Sequence, residues 1–362
     1  MPDIYDGELV DVCDSLFDRL PALVRTTTAK PFVAISNGHG VWEMVISNTM
    51  SRGDHILVLG SGRFAENWGV MAEFSGVHVQ LIPGRPGFPI DTDAVQTALR
   101  ADRSITAVLM VQVDTATSIL NDVPAVRASI DGADHPALFM VDCIASMGCD
   151  RFEMDEWGVD VTLAASQKGL MVPPGLGFAW ASPKAMAAHQ KAGLRTGYWD
   201  WTARDVKRPN YLRFCGTPPV SHLFGLHEAL GMIEEEGLEN VWVRHAVLAD
   251  AARAAVAAWA TDDGIGFFVV PPSARSNAVT TVTTGSINAD ELRAATGRAG
   301  VTVGSGVDPL EGRAFRLAHM GCIDPATLLG TLGAVEAGMH AIDAPMGGSG
   351  VAAAAAVIAA AL

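Results

Sequence analysis

Residues 137–182 read ALFMVDCIASMGCDRFEMDEWGVDVTLAASQKGLMVPPGLGFAWAS. Three runs in this stretch, 137–142, 161–166 and 175–182, are almost continuously apolar or small, as in strands buried on both faces of a sheet. Two of the runs deliver a charge to the strand's end: Asp142 closes the first, and Lys168 follows the second by two residues. Working outward, similar runs occur at PFVAIS (31–36), HILVLGS (55–61), HVQLIPG (78–84) and TAVLMVQ (106–112). Amphipathic segments such as GVWEMVISNTMS, DAVQTALRA and DVPAVRASI alternate with them. The alternation predicts an α/β domain with a mostly parallel sheet covered by helices on both sides. Its site-bearing edge is then the one formed by the strand C-termini and the loops that follow. After about residue 219 the pattern changes to long helices mixed with fewer strands (FFVVPP, AVTTVTT, VTVG, AFRLAHMG). The sequence therefore divides into a large domain, 1–240, and a smaller α+β domain, 241–362.

Composition narrows the class of function. With 49% hydrophobic and 18% charged residues the chain has material for a sizeable core, which excludes intrinsic disorder. The 25 Lys+Arg against 40 Asp+Glu give a net charge of −15 without a basic run, so nucleic acid is not the expected partner. The five cysteines form no CxxC pair, which argues against a disulfide framework or zinc site; no metal is expected. The start MPDIYDGELV resembles no signal peptide, and no apolar run reaches the roughly 18–20 residues of a spanning helix. A soluble cytoplasmic protein with no membrane partner is the expectation, and the alanine-rich tail after Gly350 reads as a terminal helix on the body.

The charges at the strand ends carry the chemistry. A lysine is usually a solvated surface charge, but Lys168 has apolar flanks and a Pro-Pro-Gly turn behind it; partial desolvation would make its amine a nucleophile. Asp142 could be an ordinary loop cap or the anion that pairs with a cationic ring nitrogen. Together the two supply what pyridoxal 5′-phosphate (PLP) requires, a Schiff-base lysine and an acid that keeps the pyridine nitrogen protonated. The phosphate would sit at a helix N-terminus. Ser36-Asn37-Gly38-His39-Gly40 lies between a strand and a helical run and fits that role, or that of an unremarkable glycine-rich turn. Gln167 could add a donor, and Phe64 could stack on the ring or belong to the core. Arg316, between Phe315 and Leu317, is either a surface ion-pair former or a bidentate clamp for a substrate carboxylate.

The run VDCIASMGCDRFEMDEWGVDVTLAASQKGLMVPPGLGFAW resembles the cofactor segment of class V aminotransferases, in particular the serine–glyoxylate and alanine–glyoxylate group with its aspartate–glyoxylate members. The likeness extends from about Pro31 to the last helices. It implies the PLP-dependent transferase fold type I and a ping-pong transfer of an amino group from serine, alanine or aspartate to glyoxylate or a similar 2-oxo acid. By the same resemblance Lys168 is the aldimine lysine and Asp142 the pyridine-nitrogen acid, with Ile144 on the ring face opposite Phe64. Ser36, Gly38, His39, Gly40 and Gln167 match phosphate-side positions, Thr115 lies near the cofactor hydroxyl, and Arg316 binds the substrate carboxylate. Thr217, in CGTPPV, matches a threonine that reaches the phosphate of a neighbouring subunit, which implies a homodimer.

The sequence also departs from the family. Phe214 stands where a tyrosine usually precedes that threonine, Gln112 and Asp114 replace His and Glu, and the Gly-Pro-Thr segment that opens relatives has no counterpart. Within PLP chemistry a lyase, a cysteine desulfurase or a pyridoxamine–pyruvate aminotransferase stay open, although Cys322 lacks the long Gly/Ser loop a desulfurase needs. Gly60-Ser61-Gly62-Arg63-Phe64-Ala65 is a GxGxxA after a strand, which suggests an NAD-dependent dehydrogenase. The next strand, however, ends without the acidic residue that such a site requires. A non-catalytic binding protein on the same fold is a third class.

Overall fold

The computed structural model describes residues 2–362. Its strands, in chain order, are β1 (Lys30–Ser36), β2 (His55–Leu59), β3 (His78–Ile82), β4 (Ile105–Val111), the short pair β5 (Val113–Asp114) and β6 (Ile119–Leu120), β7 (Leu138–Asp142), β8 (Val161–Ala165) and β9 (Gly175–Ala181). Seven of these build one sheet in the order β1-β9-β8-β7-β4-β2-β3. The block β8-β7-β4-β2-β3 is parallel throughout, and β9 runs antiparallel between β1 and β8. Every residue of β7 and β8 is buried, which is why the sequence there shows no alternation.

Helices cover both faces. On one side lie α1 (Glu8–Leu23), α4 (Thr92–Ala101), α5 (Val123–Gly132) and α8 (Val220–Glu236), whose apolar residues share a core with Val108, Phe139 and Phe178. On the other lie α2 (Gly38–Thr49), α3 (Arg63–Phe74), α6 (Pro183–His189) and the single turn α7 (Trp201–Arg204), around Ala34, Val58 and Leu163. Gly177 of β9 lets α2 approach closely, since a Cβ there would lie 2.0 Å from Val41 Cγ2. Several helix starts are written locally: Asp91 accepts the N–H groups of Asp93 and Ala94, and Asp122 that of Ala125. Helices α1 and α3 were not among the segments read as helical from the sequence.

The second sheet is antiparallel, in the order β10 (Gly266–Phe267), β11 (Val279–Thr283), β13 (Ala314–Ala318) and β12 (Gly304–Ser305). The helices α9 (Leu238–Trp259), α10 (Ala289–Arg298), α11 (Pro325–Ala341) and α12 (Gly350–Ala361) pack with it around Trp259, Phe315 and Leu332. In the run FFVVPP the ladder ends at Phe267; the Phe268 N–H still donates to the Thr281 carbonyl at 3.2 Å, and the Val270 N–H turns away to the Gly87 carbonyl at 2.9 Å. Between α8 and α9 the chain turns at Gly237, with φ of 85°. Helix α12 buries Ala354 and Ile358. Among the described residues no helix is long and apolar enough to cross a membrane.

Candidate active site

Strands β1, β2, β4, β7 and β8 all end at the same edge of the large sheet, and a cavity of about 280 Å³ opens there. Its lining includes Gly38, His39, Phe64, Thr115, Asp142, Ile144, Gln167 and Lys168, eight of the residues singled out from the sequence. Asn37, Trp42 and Pro174 line it as well.

Lys168 is half-buried in a tight loop after β8. The Ser166 hydroxyl donates to the Pro173 carbonyl at 2.8 Å and accepts the Leu176 N–H at 3.2 Å, closing the loop across its base. Gly169 lets the loop lie against the neighbouring segment, because a Cβ would sit 2.1 Å from the Met147 carbonyl oxygen. Burial holds the Lys168 ammonium below its ordinary value, the Arg316 charge adds to that, and Asp142 opposes it. The amine is thus shifted toward its nucleophilic form.

Asp142 is buried at the tip of β7. Its Oδ1 accepts the Ile144 N–H and its Oδ2 the Trp42 indole N–H, each at 2.6 Å. Burial pushes its carboxyl up to about 7 against these two donors.

At the start of α2, Asn37 caps the helix by accepting the Gly40 N–H at 3.2 Å. The N–H groups of Gly38 and His39 make no hydrogen bond within the described chain and face a twelve-residue helix dipole. A Cβ at Gly38 would lie 2.4 Å from Ile144 Cδ1, so a side chain there would press on Ile144. Gln167 Oε1 is buried without a partner at the same cavity. A carboxylate at the depth, an amine in reach of its field, free amides at a helix N-terminus and an orphaned amide side chain fit a phosphorylated pyridine aldehyde.

Phe64 opens α3, and its ring lies 6.5 Å from Trp42 and 6.4 Å from His39. Its backbone is held by Asp114, a fully buried carboxylate that also accepts the N–H groups of Ala65 and Ala116. The GxGxxA turn has a structural explanation in the same contact. A Cβ at Gly62 would lie 2.5 Å from the Asp114 carboxyl carbon, and one at Gly60 would lie 2.8 Å from Gly84 N. The dinucleotide reading of this turn falls away.

Four expected site residues do not line the cavity. Ser36 donates its hydroxyl to the Asn37 carbonyl at 2.7 Å, and a Cβ at Gly40 would lie 2.2 Å from that hydroxyl and force it to turn. Arg316 reaches across from β13: its Nε donates to the Ser305 carbonyl and its Nη1 to the Thr115 carbonyl, both at 2.8 Å. Thr217 is exposed between Gly216 and Pro218. Phe214 is fully buried edge-on to Phe17, so its ring belongs to the core. Gln112, in place of the family histidine, ties Ser146 to the Arg151 carbonyl. Cys322 lies in a different cavity from Lys168.

The sequence reading missed Trp42, and it named Asn37 and Asp114 without giving either a role. A buried tryptophan usually finds a partner for its N–H, but Trp68 and Trp201 are buried without one, so the residue type alone did not signal the contact that Trp42 makes.

Fold and cavity together define a pyridoxal-phosphate enzyme of fold type I. The sequence profile of the aminotransferase class-V family matches residues 22–318, and the chain belongs to that family. It is 39% identical over 351 residues to the serine–glyoxylate aminotransferase of Methylorubrum extorquens, covering 94% of this chain and 86% of that one. With the L-aspartate–glyoxylate aminotransferase of Paracoccus denitrificans it shares 36% identity over 369 residues, 98% of this chain and 91% of the relative. Among solved structures, the pyridoxamine–pyruvate aminotransferase of Mesorhizobium loti superposes with a TM-score of 0.90 at 27% identity, over 100% of this chain and 92% of the other. The protein is an aminotransferase that uses PLP, as the strand-end lysine and aspartate suggested.

Proposed function

We infer that the chain moves an amino group from a small amino acid, serine, alanine or aspartate, to glyoxylate or a similar 2-oxo acid. The names of the relatives at 36–39% identity support this choice of substrates. The observation that carries the reaction type is the meeting of Lys168, Asp142 and the free amides of α2 in one cavity.

Bound PLP supplies a reactive carbonyl and an electron sink. Lys168 would be the amine that binds the cofactor's carbonyl, and its freed amine would carry a proton between the substrate α-carbon and the cofactor. Its lowered proton affinity suits both tasks. Asp142 keeps the ring nitrogen protonated, and the N–H groups of Gly38 and His39 with Gln167 receive the phosphate. Phe64 and Ile144 would flank the cofactor ring, and Thr115 would meet its hydroxyl. Arg316 keeps Nη2 free of hydrogen bonds within the described chain, and that group is the one we assign to the substrate carboxylate.

The functional unit in this reading is a homodimer in the cytoplasm. Thr217 is exposed and lies outside its own chain's cavity, which suits a role in a neighbouring site. All five cysteines are free, which suits a reducing compartment.

The test is a panel of serine, alanine and aspartate against glyoxylate and pyruvate, with product 2-oxo and amino acids measured. Turnover of one donor with glyoxylate supports the reading; turnover of none, in protein with bound cofactor, refutes it. Lys168→Ala must lose both turnover and the visible absorbance of lysine-bound cofactor. A second reading follows from the backbone likeness to pyridoxamine–pyruvate aminotransferase. Activity with free pyridoxamine and pyruvate, and none with the amino-acid panel, would replace the first.

A further inference from the structure

Asp142 has two hydrogen-bond donors in this chain, and one belongs to the helix that starts at the phosphate end of the cavity. Trp42 lies one turn into α2 and is 2% exposed. Its indole stacks nearly parallel on Trp68 of α3, with centroids 6.1 Å apart at 15°, and is flanked by His39 at 4.6 Å. Fixed on both sides, the ring aims its N–H at Asp142 Oδ2, 2.6 Å away. A buried carboxylate stays ionised only where donors replace the water it has lost. Burial already carries Asp142 to about 7, so losing one of two donors would favour the neutral acid. A neutral acid cannot pair with a protonated ring nitrogen as an anion does.

We propose that Trp42 is a positioning residue for the cofactor's ring nitrogen, holding Asp142 ionised and oriented through the indole N–H. Helix α2 would then serve both ends of the cofactor: its first amides would receive the phosphate, and one turn later Trp42 would hold the acid that pairs with the ring nitrogen. Coupling the two in one rigid element keeps their separation constant. The inference rests on PLP as the cofactor and on Asp142 as the partner of its nitrogen.

The test compares Trp42→Phe with the parent, titrating each with PLP and with the analogue whose ring nitrogen is replaced by C–H, and following binding by equilibrium dialysis. Phenylalanine keeps an aromatic ring against Trp68 and removes the donor together with part of the indole's volume, a loss that both ligands would feel alike. The expected result is a loss of PLP affinity of about ten-fold or more, typical of a charged hydrogen bond. Affinity for the nitrogen-free analogue should be unchanged within about two-fold, or improved, because that ligand makes no demand on the charge of Asp142. Equal losses for both ligands would mean that Trp42 merely fills space, and no loss for either would mean that Asp142 does not depend on it; both overturn the proposal. If Trp42→Phe does not fold, Trp42→Met supplies apolar volume without a donor and is read in the same way. A parent chain that binds neither compound would overturn the cofactor assignment, and this inference with it.

Discussion

Asp114 and Phe64 are joined by a hydrogen bond that spans fifty residues of sequence: the carboxylate accepts the Phe64 N–H at 2.8 Å, and with the same oxygen the Ala65 N–H at 3.0 Å. Its other oxygen accepts the Ala116 N–H at 2.9 Å. Helix α3, which has Gly62 at its N-cap and no cap from its own segment, is therefore capped from the strand-end region that also carries Thr115. The ring wall of the cavity and the neighbouring hydroxyl residue are set by one side chain.

Removing that carboxylate should loosen the wall. Asp114→Ala leaves three N–H groups unpaired in a buried place and should cost about 2–3 kcal/mol of stability. Asp114→Asn keeps one carbonyl oxygen and should cost less. Thermal denaturation orders the three proteins, and PLP affinity should fall in the same order because Phe64 moves with α3. An Asp114→Ala protein that melts with the parent would show the cap to be idle.

The lysine loop gives a sharper prediction. Gly169 lies against the Met147 carbonyl, backbone against backbone, so nothing flexible can yield to a methyl group at 2.1 Å. Gly169→Ala must displace the segment that presents Lys168. A shift of about 1 Å costs on the order of a hundred-fold in rate. Turnover should collapse by that order while the melting temperature of the cofactor-free protein falls by only a few degrees, since the loop lies at the edge of the sheet. Steady-state kinetics and a melting curve on the same preparation separate the two effects.

The parts of the site that were legible in the sequence are those where a residue type contradicts its surroundings. Asp142 and Lys168 stand out because charges close apolar strands, and the strands themselves because β7 and β8 are apolar on both faces. What stayed hidden depends on distant contacts. Trp42 reaches Asp142 across a hundred residues, and Asp114 reaches Phe64 across fifty. No local pattern encodes either. The glycines of GSG shared their spelling with a dinucleotide turn, and what explains them is the approach of Asp114 to Gly62 and of Gly84 to Gly60. Ser36 looked like a phosphate donor by position, yet its hydroxyl turns to the Asn37 carbonyl, an alternative that serine always has next to a helix start.

The raised pKa of Asp142 makes the cofactor-free protein sensitive to pH. Its folded carboxyl titrates near 7, against an ordinary value of 3.8. Between those values the folded chain holds a proton that the unfolded chain has released, so stability falls as pH rises through this window. The loss is on the order of 4 kcal/mol at most by pH 7–8. Asp150, raised by burial to about 6, adds to the trend in the same direction. Asp142→Asn removes the first contribution. Denaturant unfolding at pH 5 and pH 8 should therefore show the parent losing more stability than the variant, the gap measuring Asp142 alone. Equal losses would mean that Asp142 ionises in the folded chain as readily as in the unfolded one.

Gly38 and Ile144 form the most separable contact in the cavity. A methyl group at Gly38 would meet Ile144 Cδ1 at 2.4 Å, while the next Ile144 atoms stand at 3.4 and 3.8 Å. The clash is thus with one terminal carbon of a side chain, not with backbone. Gly38→Ala should push Ile144 toward the ring position and weaken PLP binding, by roughly ten-fold for a strain of 1–2 kcal/mol. Ile144→Val removes the offending carbon and by itself should cost only about 1 kcal/mol of stability. The double variant Gly38→Ala/Ile144→Val should then bind PLP more tightly than Gly38→Ala alone, a non-additivity that neighbouring residues show and distant ones do not. Additive losses would mean that the alanine acts on the free amides of α2 rather than through Ile144, and the phosphate cradle would then depend on the backbone conformation that glycine permits.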